Sequence, residues 1–120
     1  MLWMIGVGGI LGSISRFLLG TWVVSRTSSP YPFGTFVINL SGSFILGCLA
    51  AFHGQHEISE MLYALLGIGF CGAYTTFSTF GVEAIRLLEL RRTTQAIIYV
   101  ISSVVLSIVG AGAGFLIFNT

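Results

Sequence analysis

Lysine and aspartate are absent from these 120 residues, and the formal charges are five arginines and four glutamates, 8% of the chain. A water-soluble domain carries about 25% charged residues. That scarcity excludes a cytosolic enzyme, a nucleic-acid-binding module and a disordered tail. A net charge of +1 leaves no polybasic footprint for nucleic acid. Cysteine is scarce too. Cys48 and Cys71 each sit in an apolar run with no His/Cys cluster nearby, and read as small packing residues rather than a disulfide or zinc site. No metal triad, phosphate loop or nucleophile–base pair is present. What the chain does have is apolar length. Hydrophobic residues make up 55% of it and its mean hydropathy is +0.97, the composition of an integral membrane protein.

The charges divide the chain into spans. Thirty residues between Arg26 and Glu57, twenty-two between Glu60 and Glu83, and the last twenty-eight after Arg92 carry no formal charge. A membrane helix needs about 20 mostly apolar residues, so each gap holds one. Residues 1–24, interrupted only by Arg16, supply a fourth. The sequence therefore predicts an all-α membrane protein, one transmembrane domain of four helices near residues 1–24, 33–52, 61–90 and 94–118, with both termini on one side. Trp3 and Trp22 are nineteen residues apart, about 28 Å along a helix, which suits interfacial anchors. Turn chemistry fills the connections Ser28-Ser29-Pro30-Tyr31-Pro32, His53-Gly54-Gln55-His56-Glu57 and Leu90-Arg91-Arg92-Thr93. The first apolar run has full membrane length and no basic segment before it, so a membrane helix is expected there rather than a cleavable signal.

Four helices in 12.9 kDa cannot enclose an aqueous pore and also bury one another's polar groups. A transport path must then run in grooves between helices or subunits, and an oligomer is expected. Small residues recur every four positions: Gly8, Gly12 and Gly20 around Arg16; Thr35, Asn39, Ser43, Gly47 and Ala51; Tyr99, Ser103, Ser107 and Ala111. Such stripes let helix backbones approach closely in lipid, and packing alone accounts for the glycines. Asn39 and the Tyr99–Ser103–Ser107 row are different, because polar columns at membrane depth need partners or water.

The third span carries Gly69-Phe70-Cys71-Gly72-Ala73-Tyr74-Thr75-Thr76-Phe77-Ser78-Thr79-Phe80-Gly81 near its middle, where leucines would be expected. This is a poor helix sequence. Two readings stand: a bend in which Ser and Thr bond back to carbonyls one turn earlier, or a break whose freed carbonyls line a cavity or bind an ion. The density of such residues between glycines favours the break.

Gly72-Ala73-Tyr74-Thr75-Thr76-Phe77-Ser78-Thr79-Phe80 closely resembles the signature of the Fluc/CrcB fluoride channels. So do Gly8-Gly9-Ile10-Leu11-Gly12 with Arg16, and Gly34-Thr35-Phe36-Val37-Ile38-Asn39-Leu40-Ser41-Gly42-Ser43. The three motifs occur in the family's order, and the resemblance covers the whole chain. It implies a dual-topology protein of the bacterial inner membrane: an antiparallel homodimer in lipid that passes fluoride through two narrow pores. A structural sodium ion would sit at the dimer centre, on carbonyls of the broken third helix. On this chain those carbonyls fall at Gly72 and Thr75, each supplied twice. The resemblance further assigns a pore phenylalanine pair to Phe77 and Phe80, whose positive ring edges can solvate an anion weakly. Asn39 becomes the pore amide, Ser78 lines the same path, and Tyr99, Ser103 and Ser107 form a track of hydroxyl donors.

Other residues are open to more than one reading. Arg16 is a vestibule cation by the resemblance, or a side chain that snorkels to the interface. Glu83 is expected to be a structural partner of Arg16 or Arg86, Glu57 and Glu60 to cap the third helix, and His53 and His56 to be solvated. Arg26, Arg91 and Arg92 occupy the loops on one side, and the loop on the other side has no Arg or Lys. The positive-inside rule then leans toward both termini outside, which keeps a parallel or heteromeric assembly as an alternative to dual insertion. A small four-helix proton-coupled exporter is the rival function, but such proteins rely on a glutamate in the first helix, and residues 1–24 contain no carboxylate.

Overall fold

The computed structural model describes residues 2–26 and 31–119, so Met1 and the turn residues Ser28, Ser29 and Pro30 lie outside the described residues. Four helical spans are long and apolar enough to cross a membrane: α1 (Leu2–Ser25), α2 (Phe33–Gly54), α3 (Glu60–Glu89) and α4 (Thr93–Phe118). The long dimension of 48 Å matches a bilayer with its headgroups. Most large apolar side chains of α1 and α4 face outward, as lipid-facing residues must.

Glycine sets the helix contacts. A Cβ on Gly8 or Gly12 of α1 would strike the backbone carbonyls of Leu65 and Phe70, and one on Gly47 of α2 would strike that of Ala111. The expected small-residue stripes therefore hold α1 against the first half of α3, and α2 against α4, at backbone distance.

Span α3 is not one helix. Its first arm is α-helical over Glu60–Tyr63, π-helical over Ala64–Cys71 and α-helical again over Gly72–Tyr74. The chain then leaves the helix at Thr75, whose φ of −78° and ψ of 157° are extended, and a second arm runs Ser78–Glu89. The π-helical stretch is the part pressed against Gly8 and Gly12, with Gly69 itself seated on the Ile5 carbonyl. π-Helical turns are rare and frequently mark functional sites.

The ends of the spans correct several local expectations. Ser59, not Glu57 or Glu60, caps α3: its hydroxyl accepts from the Leu62 N–H at 3.1 Å. Glu60 lies in the first turn and pairs with His53 Nε2 at 2.9 Å, while the His53 ring stacks on Tyr63. His53 is thus engaged rather than simply solvated. His56 and Arg91, at φ 59° and 60°, take the left-handed conformation that ends α2 and the second arm of α3.

Candidate functional site

The break in α3 is held from outside the helix. In a continuous helix the Thr76 N–H would donate to the Gly72 carbonyl and the Thr79 N–H to that of Thr75. Here the Thr76 N–H donates to Asn39 Oδ1 at 2.8 Å, and the Thr79 N–H donates to Thr76 Oγ1 at 3.3 Å. The carbonyls of Gly72 and Thr75 are thereby released from their helical donors. Asn39 Nδ2 in turn donates to the Thr76 carbonyl at 2.9 Å, so one carboxamide satisfies both polar groups of the Thr76 backbone. Asn39 keeps one further N–H. The arm before the break is tied back as well, because the Thr75 N–H and hydroxyl both donate to the Cys71 carbonyl, at 3.0 and 2.9 Å. Tyr74 Oη lies 2.9 Å from Ser41 Oγ, and the missing side chain of Gly42 makes room for Thr75 and the Tyr74 ring.

Two cavities flank Thr76, which lines both. One, of about 300 Å³, brings together Asn39, Thr75, Phe77, Phe80, Ser103 and Ser107. The other, of about 530 Å³, is lined by Arg16, Thr21, Thr35, Thr79 and Glu83 among others. Arg16 is half-buried there. Glu83 has a different partner from the one expected: it accepts a hydrogen bond from the Thr35 hydroxyl, one turn of α2 away from Asn39. Among the described residues no arginine lies within ion-pair distance of a carboxylate, so Glu83 is bridged to neither Arg16 nor Arg86.

Apart from Arg16, which lines the wider cavity, the expected site residues separate into three groups. Asn39, Thr75, Phe77, Phe80, Ser103 and Ser107 share the smaller cavity. The Phe77 and Phe80 rings stand 6.1 Å apart, with Phe77 84% exposed at the surface of the chain. Tyr99 is fully buried beyond that cavity, its ring 5.1 Å from Phe80 and edge-on to Tyr31 at 5.5 Å. Its hydroxyl lies near Thr35 without a hydrogen bond of ordinary geometry, and Ser103 Oγ is likewise buried and unpartnered. Gly72 and Ser78 are at the chain's surface and line neither cavity.

Thr35 and Thr76 line these cavities and Gln95 stands four residues before Tyr99 on α4, yet the sequence alone assigns none of them an individual role. Thr76 lay inside the quoted motif, and Thr35 stood in the Asn39 row. For Gln95 the signal was its place four residues before Tyr99.

Chemically, the region offers an anion amide and hydroxyl donors, aromatic edges and one arginine. The family model described as CrcB-like protein, Camphor Resistance (CrcB), matches residues 3–115. The chain is 42% identical over 112 residues to Fluoride-specific ion channel FluC 2 of Rhodococcus jostii, covering 93% of each protein. It is also 42% identical over 107 residues to Fluoride-specific ion channel FluC 2 of Clostridium acetobutylicum, covering 89% of this chain and 88% of that one. Against Fluoride-specific ion channel FluC of Rhizobium meliloti the identity is 42% over 113 residues, 92% of this chain and 90% of the relative.

Proposed function

The chain belongs to the CrcB-like family, and from that premise we propose that it is a fluoride-specific ion channel which lets the anion leave the cytoplasm passively and so limits its toxicity. It is a multi-pass membrane protein and not an enzyme. Fluoride crosses membranes as its neutral acid and is trapped as the anion in a less acidic cytoplasm. A negative-inside potential then drives the anion out, so no coupling carboxylate is required. The rival, a proton-coupled exporter, has no carboxylate in α1 to work with.

The observation that carries this reading is the smaller cavity, which Asn39, with one amide N–H beyond the one it gives to Thr76, lines together with Phe77, Phe80, Ser103 and Ser107. Each is a weak or neutral ligand. An ion held by such groups can leave again, which conduction requires. A small anion can exchange its water for close amide, hydroxyl and ring-edge donors. A larger one such as chloride fits poorly between the two rings and the close-packed helices. Arg16 in the wider cavity would concentrate anions at the approach.

The finer assembly belongs to the same proposal. Two chains pair antiparallel in the lipid, giving two pores. Where the α3 breaks meet at the two-fold axis, the freed carbonyls of Gly72 and Thr75 supply four hard oxygens, a donor set that fits a sodium ion. When bound, that ion would screen the carbonyl dipoles from one another and hold the two breaks together. The Gly72 carbonyl can reach a second chain because Gly72 is exposed and a side chain there would meet nothing within 4 Å.

Growth of a bacterium stripped of its own fluoride exporters tests the function in cells. Producing this chain should restore growth at fluoride concentrations that stop the parent strain. Unrestored growth, with the chain present in the membrane, contradicts the proposal.

A further inference from the structure

Buried polar atoms without a partner are rare in folded proteins, and lipid offers them no substitute. Among the described residues three side chains carry one by hydrogen-bond geometry: Gln95 Oε1, Ser103 Oγ and Tyr99 Oη, the last with the Thr35 hydroxyl nearby. All three stand on α4 at intervals of four residues, so they lie above one another on one face, about 6 Å apart along the axis. Scattered packing defects would not fall on successive turns of one helix face. A strip of this kind is completed by water or by an ion that moves along it.

The row assigned to the fluoride path ends at Tyr99, but the orphaned atoms continue one turn further. We propose that Gln95 is the outermost ligand of the fluoride path, where it receives the ion at the loop side and passes it to Tyr99. This rests on the channel reading above. A carboxamide is suited to the position: its oxygen accepts from water and its NH₂ offers two donors, and a half-turn of the group exchanges one for the other at the same point. With the oxygen inward it holds a water against the Tyr99 hydroxyl, and with the nitrogen inward it donates to fluoride. Arg91 and Arg92 precede Gln95 by four and three residues, in the turn that leads into α4, exposed and without an ion pair among the described residues. They raise the local concentration of anions at this end of α4. Glu89, also exposed, is the nearest opposing charge in the sequence.

The test uses the full chain in liposomes, with fluoride efflux counted per folded protein. Gln95→Leu keeps the approximate volume and removes both kinds of polar atom. It should lower efflux at least tenfold and raise the fluoride concentration needed for half-maximal flux, while chloride stays excluded and thermal unfolding is unchanged. Gln95→Asn should retain a measurable part of the flux, and Gln95→Glu, which only accepts when ionised, should lose more than Gln95→Leu. Wild-type flux and half-saturation in folded Gln95→Leu overturn the proposal. Should that variant fail to fold, wild-type flux in Gln95→Glu overturns it equally. Failure of the unsubstituted chain to release fluoride would be a different result, since it removes the channel reading itself.

Discussion

Asn39 of α2 and Thr76 of α3, 37 positions apart, are joined by two hydrogen bonds of 2.9 and 2.8 Å that take over the backbone pairing a continuous helix would have supplied. The break therefore depends on a side chain from another helix. The same carboxamide walls the smaller cavity. The latch on the break and the wall of the cavity meet at one residue.

Asn39→Leu should strand the N–H and C=O of Thr76, at a cost of about 1–3 kcal/mol for each group left unpaired. Asn39→Asp keeps the acceptor for the Thr76 N–H but loses the donor to its carbonyl. We expect the leucine variant to show a clearly lower unfolding temperature in detergent, and the aspartate variant to be closer to wild type. Both should lose fluoride flux. An unchanged unfolding temperature for Asn39→Leu would contradict the latch.

Phe77 and Phe80 are separable from packing by their chemistry. Phe77→Ile and Phe80→Ile remove the ring edge with a modest change in volume. Flux should fall at least tenfold in folded protein. Should stability fall instead while flux per folded protein stays normal, the rings are packing residues only.

Helix approach gives a prediction independent of conduction. Gly8→Ala places a methyl against the Leu65 carbonyl, whereas Gly9→Ala meets the Ala73 Cβ and the Gly69 carbonyl at an ordinary 3.9 and 4.0 Å. The first should destabilise by about 1–3 kcal/mol, the usual cost of overpacking. The second should be near neutral. Chemical denaturation of the two variants side by side checks the difference, and equal effects would refute the assigned contact.

Orientation can be read from tags. If chains pair antiparallel, a C-terminal tag in sealed vesicles should be accessible from both faces in comparable amounts. The arginines of the two same-side loops bias insertion by only three charges. Active vesicles with every C-terminus on one face would rule the antiparallel pair out.

Much of this was legible in the chain. Charge-free gaps of membrane length set the four spans, and the Gly/Ser/Thr density over 69–81 marked where α3 fails as a helix. The exit at Thr75 followed from the family resemblance and not from the local residue pattern, because it is fixed by Asn39 across 37 residues. Glu83 was misread for a similar reason: an arginine is its obvious partner in the sequence, but the fold brings the Thr35 hydroxyl to it. At Ser59 the preference of helix N-termini for acidic residues overrode a stronger signal, the hydroxyl side chain just ahead of the first turn. Gln95 resembles any polar residue at the start of a helix. Only the burial of its unpartnered Oε1, in register with Tyr99 and Ser103 on the same helix face, sets it apart.

The most direct test of the channel reading is an electrode measurement on liposomes that contain this protein alone, with efflux driven by a potassium-diffusion potential. The account predicts rapid fluoride release that follows the membrane potential, needs no proton gradient, and is accompanied by negligible chloride release. Comparable chloride efflux, or fluoride movement that requires a proton gradient and ignores the potential, would contradict it.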